Sequence, residues 1–102
     1  MGWEELPQFS LSRRNVLRHA PEESGIYGLS APDKWIYIGH SFNIQRALLD
    51  YLNGQMPYVL QWQPKNFTFE LQPYKDRLAR QKELVAQYHP VCNRKTQPLV
   101  RL

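Results

Sequence analysis

Two short runs of apolar and aromatic residues in the middle of the chain have the composition of β-strands. Residues 25–29 and residues 35–39 are rich in isoleucine, tyrosine and tryptophan, which favour extended backbone. Between them, Pro32 presets its own φ angle, and the side chain of Asp33 can bond the neighbouring backbone. The pattern therefore predicts an antiparallel hairpin with a tight turn.

An amphipathic helix is predicted directly after this hairpin. Asn43 is a favourable N-cap, and the Asn-Gly pair at residues 53–54 is typical of a helix C-terminus. Apolar residues recur between them at the spacing of one helical face: Ile44, Ala47, Leu48, Tyr51 and Leu52. We expect this face to pack against the hairpin.

The flanking elements are predicted from caps, alternation and proline. Ser10 or Ser12 caps a short helix that ends before Pro21, because a residue preceding proline avoids the helical region. Residues 55–65 contain two prolines and three glutamines and predict an irregular surface loop. Alternation over residues 67–71 predicts a third strand.

A long final helix is predicted from about Tyr74 to Tyr88, where Pro90 stops it. The element order is then α-β-β-α-β-α. This order predicts an α/β (α+β) fold in which helices flank a small three-stranded antiparallel sheet. A chain of 102 residues is long enough for one such domain, spanning residues 1–102.

Composition describes an ordinary globular domain, with 42% hydrophobic and 22% charged residues. No apolar run reaches the roughly 18 residues of a membrane span. The acidic start lacks the order of charges and apolar residues that marks a secretory signal. The single cysteine, Cys92, excludes an internal disulfide and a multi-cysteine zinc site. We expect a cytoplasmic protein with no membrane association.

Positive charge is concentrated in the last part of the chain. The net charge is +4, to which residues 1–63 contribute −1 and residues 64–102 contribute +5. A basic surface is typical of proteins that bind DNA, although a solvated helix face with a basic tail explains the same charge. The candidate nucleic-acid-binding residues are Arg46, Lys65, Arg77, Arg80, Arg94 and Lys95.

Two tripeptides on the predicted hairpin carry the most specific signal in the sequence. Gly25-Ile26-Tyr27 and Tyr37-Ile38-Gly39 are separated by nine residues, and the amphipathic helix opens shortly afterwards at Asn43. Residues 90–93 have the form Pro-x-x-Asn. Together these features resemble the GIY-YIG nuclease superfamily over roughly residues 21–95. The resemblance implies the superfamily's fold, which agrees with the element order above.

The resemblance also implies where a nuclease site would lie. In the superfamily the motif tyrosines, here Tyr27 and Tyr37, lie in the site, where a phenol orients or deprotonates water. An arginine on the next helix faces the phosphate, and a glutamate on the last helix holds one divalent cation. His40, directly after the second motif, is a candidate proton acceptor. The structural alternatives are cross-strand packing for the tyrosines and a solvent-facing strand end for His40.

Two decisive positions depart from the superfamily pattern. Ala47 stands where the resemblance implies the arginine, and Gln81 where it implies the glutamate. Alanine has no charge to offer a phosphate, and a neutral amide is a poor ligand for a hard cation. Helical geometry directs the neighbouring Arg46 and Glu83 towards solvent. The sequence therefore predicts no metal ligands and no bound cofactor, with Mg²⁺ or Mn²⁺ required only by an active site.

Gln81 itself is expected to face inward. It falls on one helical stripe with four apolar or aromatic residues: Tyr74, Leu78, Val85 and Tyr88. A buried amide must be hydrogen-bonded, and tyrosine hydroxyls are the expected partners. The alternative is that Gln81 flanks the stripe and reaches water.

Three hypotheses of function follow from these residues. The favoured one is a GIY-YIG-like domain that binds DNA or phosphate weakly and whose phosphodiester cleavage is impaired or absent. The second is an active metal-dependent endonuclease with a rearranged site that uses His40, Arg46 and a carboxylate such as Glu70 or Asp76. The third is an interaction module that binds a protein partner and has no nucleic-acid role.

Overall fold

The computed structural model describes residues 2–93 and contains one antiparallel sheet. Its four strands are β1 (Phe9–Ser10), β2 (Gly25–Ala31), β3 (Lys34–Ser41) and β4 (Asn66–Leu71). Their order across the sheet is β1-β4-β2-β3. Strand β3 therefore lies at one edge of the sheet, and its outer backbone is open to contact from other parts of the chain.

Residues 2–93 also form four helices and one short turn. They are α1 (Arg13–His19), α2 (Ile44–Leu52), α3 (Pro57–Leu60), α4 (Tyr74–Tyr88) and a 3₁₀ turn (Val91–Asn93). The side chain of Ser12 caps α1, and that of Asn43 caps α2 by accepting the backbone N–H of Arg46 at 2.9 Å. Within the described chain, no helix combines the length and apolar character that crossing a membrane requires.

The predicted hairpin is formed by β2 and β3. Tyr27 lies opposite Gly39, and Leu29 lies opposite Tyr37, so the two motifs face each other across the hairpin. The register is irregular after Leu29, near the turn. The motif ends of both strands are regular, and side chains there alternate between the two faces of the sheet.

The sheet has a hydrophobic core on each face. On one face, α1 and α2 bury a core around Val16, Tyr27 and Leu48. On the other face, α4 and the N-terminal segment bury a smaller core around Trp3 and Leu84. The fold is therefore a three-layer arrangement with the sheet in the middle.

Two predicted elements need correction. The sheet has four strands rather than three, because the two residues of β1 pair with Phe67 and Asn66 of β4. So short a strand shows no periodicity, and it is held by the Phe9 ring, whose centroid lies 5.3 Å from that of Phe67. The segment predicted to be irregular contains α3, which is anchored by Val59, a residue with no exposed surface.

Helix α4 has the predicted bounds, but its buried face is rotated towards Arg77 and Leu84, the two residues of the helix that are buried. Tyr74 is 80% exposed and Leu78 is 51% exposed, so these two residues do not belong to the inward stripe. The rotation buries a charged side chain, that of Arg77, which lies outside the predicted stripe.

Candidate functional site

Three tyrosines, which we call the tyrosine cluster, lie beside the hairpin. Tyr27 on β2 and Tyr37 on β3 have ring centroids 6.1 Å apart. Tyr58 on α3 packs edge-on against Tyr37, with centroids 6.4 Å apart. A Cβ atom at Gly39 would lie 2.7 Å from atoms of both Tyr27 and Tyr37. The second motif therefore needs glycine at this position, so that the two rings can approach the backbone.

Tyr27 and Tyr37 stay protonated at neutral pH. Burial raises the pKa of Tyr37 to about 12, and the interaction with Tyr58 adds to the increase. Burial raises the pKa of Tyr27 still further, and Tyr27 is only 5% exposed. A phenol in this state donates a hydrogen bond but does not act as a base. Tyr27 and Tyr37 can therefore orient a water molecule or a phosphate oxygen by donating a hydrogen bond, but they do not deprotonate water at this pH.

Two side-chain amides occupy the outer edge of β3. Asn93 accepts the N–H of Ile38 at Oδ1 (2.8 Å) and donates from Nδ2 to the Ile38 carbonyl (2.9 Å). Gln81 donates from Nε2 to the same carbonyl at 2.9 Å. The side chain of Gln81 does face the sheet, but its partner is this backbone carbonyl rather than a tyrosine hydroxyl. The reason is that the edge strand leaves the Ile38 carbonyl without a strand partner.

Ala47, for which the sequence resemblance implies an arginine in the superfamily, makes an apolar contact. Ala47 is partly buried and packs against the core that contains Tyr27 and Tyr51. Its neighbour Arg46 has a side chain that is 71% exposed, and Arg46 Nε lies 3.3 Å from Asp50 Oδ1. Arg46 therefore points to solvent on the outside of α2 and does not replace the missing guanidinium.

The residues of this site do not fit the divalent cation of the superfamily. The group that Gln81 turns towards β3 is an N–H donor, which a cation would repel. Between residues 2 and 93, no group of three or more His, Cys, Asp and Glu side chains is placed to hold a metal ion. A neutral amide bound to a carbonyl offers neither the charge nor the direction that Mg²⁺ requires.

His40 lies on the opposite face of the sheet from the tyrosine cluster. Ile38 packs in the core beneath α4, and His40 shares that face because side chains alternate along β3. Burial, followed by the nearby charge of Arg77, lowers the pKa of His40, so the imidazole is neutral at pH 7. His40 is therefore associated with Arg77, which is 8% exposed, rather than with Tyr27 and Tyr37.

Arg80 is engaged in ion pairs inside the fold. Its Nε and Nη2 donate to the two carboxylate oxygens of Glu70 at 2.6 and 2.9 Å, and its Nη1 donates to Glu83 at 2.8 Å. Glu70 also accepts the indole N–H of Trp3 at 2.8 Å. Burial by itself would raise the pKa of Glu70, but the hydrogen bonds from Arg80, Gln72 and Trp3 outweigh it, so the pKa is lowered. Glu70 thus ties α4 to the sheet and is not free to hold a metal ion.

The other charged candidates are spread over the molecule. Lys65 precedes β4, and its backbone N–H donates to the Ser30 carbonyl at 2.8 Å, beside the hairpin turn. This is one strand length, about 17 Å, from the end of β4 that leads into α4. Asp76 is exposed in the first turn of α4, while Arg94 and Lys95 lie outside the described residues. Over residues 2–93, the predicted basic residues therefore do not form one continuous stripe.

Tyr58 is the member of the cluster that sequence reasoning did not assign. Its helix is only four residues long, so it shows no periodic signal, and proline at its first turn was interpreted as a loop signal. Cys92 reinforces the contact, since its thiol donates to the Tyr58 carbonyl at 3.6 Å. Burial raises the pKa of Cys92, which makes it a packing residue rather than a reactive thiol.

Comparison with known proteins defines the class of fold. No protein-family model matches the chain, and no curated protein matches it significantly. Among solved structures, the chain is similar to the GIY-YIG N-terminal endonuclease domain of UvrC from Thermotoga maritima, bound to magnesium as its catalytic divalent cation. The identity is 25% and the TM-score is 0.70, over 80% of this chain and 96% of that chain.

The chain is also similar to two point mutants of the same domain, both bound to its catalytic divalent cation. A tyrosine-to-phenylalanine mutant matches with 24% identity and a TM-score of 0.71, over 81% of this chain and 94% of that chain. An asparagine-to-alanine mutant matches with 25% identity and a TM-score of 0.67, over 76% of this chain and 90% of that chain. The chain has a GIY-YIG-like fold, which confirms the predicted resemblance and fold class; the short β1 is an addition to the predicted sheet.

Proposed function

We propose that this chain is a GIY-YIG domain that binds DNA through its backbone phosphates and has lost phosphodiester cleavage. The observation that carries the proposal is the environment of Gln81. Its amide donates to the Ile38 carbonyl at the edge of β3, where the superfamily's glutamate would hold a cation. The fold is retained, whereas the ligand set that cleavage needs is not.

The chemistry of cleavage supports the same conclusion. Hydrolysis of a phosphodiester needs an activated water, a cation on the scissile phosphate and positive charge facing the developing negative charge. Tyr27 and Tyr37 are protonated. Ala47 is uncharged, and Gln81 is a hydrogen-bonded amide. Within the described chain, Glu70 is paired with Arg80 and cannot substitute as a metal ligand. These features argue against the rearranged active site.

Phosphate binding is supported by the remaining cationic side chains. The sequence carries a net charge of +4, and Arg46 and Lys65 are exposed on separate parts of the surface. Contacts to backbone phosphates carry little sequence information. We therefore expect weak binding that depends strongly on salt and little on base sequence.

The test is to measure binding and cleavage by the parent and by the double variant Ala47→Arg with Gln81→Glu. Labelled duplex, nicked and single-stranded DNA are titrated at several salt concentrations, and each is incubated with Mg²⁺ or Mn²⁺. We expect the parent to bind with steep salt dependence and not to cleave, and the double variant to gain metal-dependent cleavage. The double variant with an added Tyr37→Phe change is the matched control, which should lose the gained activity.

Two results would contradict the proposal. Metal-dependent cleavage by the parent that is abolished by Tyr37→Phe would show that the chain has an active site with a different set of metal ligands. An absence of salt-dependent binding to all three DNA forms would instead favour the interaction module.

A further inference from the structure

A second polar site lies on the other face of the sheet, where β3 ends and α4 begins. An open pocket of about 360 Å³ is lined by His40, Tyr74, Lys75, Arg77 and Leu78. Both charged residues of this lining, Lys75 and Arg77, are basic, and no carboxylate from residues 2–93 lines the pocket. Asp76 belongs to the same helical turn but is not part of the lining. We call this the Arg77 pocket.

Arg77 is buried without an acidic partner among residues 2–93. It is only 8% exposed, and its Nε is fully enclosed without a hydrogen-bond acceptor in that part of the chain. Its Nη1 makes one long contact of 3.3 Å to the hydroxyl of Ser24. That hydroxyl donates in turn to the Gln72 carbonyl at 2.7 Å. Buried charges are normally paired, so most of the hydrogen-bonding capacity of this guanidinium is unused.

Arg80, one turn further along the same helix, is an arginine whose role is structural, and its contacts differ from those of Arg77. Its guanidinium meets both oxygens of Glu70 and one of Glu83. Arg77 instead packs with its guanidinium carbon 5.0 Å from the centre of the Tyr74 ring, which orients it without neutralising its charge. The difference between the two arginines indicates that the partner of Arg77 is a ligand.

The surroundings of Arg77 favour an anion. Lys75 is exposed at the rim, and the first turn of α4 has no side chain capping its N–H groups, because the N-cap residue is Pro73. A helix of 15 residues carries partial positive charge at this end. His40, at the end of β3, adds an imidazole that can donate one hydrogen bond. A planar guanidinium with free donors is well suited to the oxygens of a phosphate group.

We propose that the Arg77 pocket binds one backbone phosphate of a nucleic acid, with Arg77 and Lys75 as its principal ligands. This inference rests on the proposed function and locates a phosphate contact on the face opposite the tyrosine cluster. It also separates the residues assigned by charge alone: Arg77 contacts phosphate, whereas Arg80 stabilises the fold.

The experiment follows the Arg77 side chain directly. Inorganic phosphate is titrated into ¹⁵N-labelled full-length protein, and the Arg77 Nε–Hε signal is recorded by NMR. Single-stranded and duplex DNA are then titrated by fluorescence anisotropy into the parent, Arg77→Met and Lys75→Met. Arg18→Met is the matched control, since Arg18 is an exposed arginine on α1, on the other face of the sheet. Thermal unfolding of each variant checks that it is folded.

We expect the Arg77 signal to shift saturably with phosphate and DNA affinity to fall about tenfold in Arg77→Met, equivalent to one charge-assisted hydrogen bond. The slope of log affinity against log salt concentration reports the number of ions released on binding. This number should decrease by about one in Arg77→Met and in Lys75→Met and remain unchanged in Arg18→Met. Arg77→Met should be no less stable than the parent, because it removes a buried charge that has no acidic partner in the part of the chain that the structure describes.

The outcomes separate this inference from the proposed function. If Arg77→Met, Lys75→Met and Arg18→Met weaken DNA binding equally, the pocket is wrong while DNA binding stands. If phosphate shifts the Arg77 signal but the parent binds no DNA, the proposed function and the nucleic-acid part of this inference both fail, and the pocket binds phosphate from another source. An unchanged Arg77 signal overturns the pocket outright.

Discussion

Replacing Gln81 by glutamate reverses the polarity of the group that faces the edge of β3. In the parent, Gln81 Nε2 donates to the Ile38 carbonyl at 2.9 Å. An ionised carboxylate has no proton to donate, so one of its oxygens would meet the carbonyl oxygen. Asn93 keeps its own bond to that carbonyl, also 2.9 Å long. The perturbation is therefore the loss of one donor and the gain of one charge.

The magnitude follows from these two changes. The loss of one neutral hydrogen bond costs about 1 kcal/mol. Holding a partly buried carboxylate against a carbonyl oxygen costs about 1 kcal/mol more, after allowance for solvent screening. We expect Gln81→Glu to lower the free energy of unfolding by about 2 kcal/mol at pH 7. For a domain of this size, that corresponds to a Tm about 10 °C lower.

The loss of stability caused by Gln81→Glu depends on pH. A protonated carboxyl can donate its O–H to the Ile38 carbonyl, so folding should raise the pKa of the introduced group above its unfolded value of about 4.3. A group whose pKa is raised on folding stabilises the native state when protonated, and this stabilisation is lost as the pH rises through the folded pKa. The variant and the parent should therefore have similar stability at pH 4 and diverge by pH 7.

Urea denaturation followed by circular dichroism at pH 4 and pH 7, with and without Mn²⁺, measures these effects. If the introduced carboxylate binds Mn²⁺ with a Kd near 1 mM, ~10 mM Mn²⁺ should restore about 1.4 kcal/mol to the variant and leave the parent unchanged. Gln87→Glu is the matched control, because it makes the same change at an exposed position of α4. Equal stability of all three proteins at pH 7 would refute the placement of Gln81 against β3.

Two further substitutions test the packing and the ion pair. Gly39→Ala should destabilise the fold by about 2 kcal/mol, because the added methyl group would lie 2.7 Å from atoms of Tyr27 and Tyr37. Thermal unfolding measures this effect, and an unchanged Tm would contradict the close approach of the two rings to Gly39. Glu70→Gln should lower the free energy of unfolding by about 2 kcal/mol at pH 7, because it removes the charge facing Arg80. The side chain of Arg80 is only 16% exposed. Folding lowers the pKa of Glu70, so its stabilisation is present above the unfolded pKa and lost as pH falls through the folded one. Urea denaturation should show a smaller difference from the parent at pH 3, and a pH-independent difference would refute this role.

Elements governed by neighbouring residues could be predicted without three-dimensional information. Asn43 caps α2 through the N–H of Arg46, only three residues away, and α4 has the predicted bounds of Tyr74–Tyr88. The hairpin is likewise set by strand composition and the short turn between the motifs. In each case the stabilising interactions are between residues close in sequence, which is why pattern and composition are sufficient.

The site was predictable only in part, because its polar contacts join distant residues. The sequence identifies Ala47 and Gln81 as departures from the superfamily pattern, and the carbonyl that Gln81 contacts lies 43 residues away at Ile38. Nothing in the local sequence distinguishes Arg77 from Arg80, since both are arginines on one helix. Their different roles depend on what the sheet presents to each.

The sequence alone determined the order of the main elements, the hairpin with its two motifs, and the presence of Ala47 and Gln81 where the resemblance implies charged residues. Only the tertiary structure decided that Arg80 meets Glu70, whereas Arg77 is buried beside an open pocket with no carboxylate partner among the described residues. Helical periodicity gives the side of the helix on which a side chain lies. Whether a side chain on that side contacts a carboxylate, a carbonyl or an open pocket depends on the packing of α4 against the sheet. Local sequence does not specify this packing.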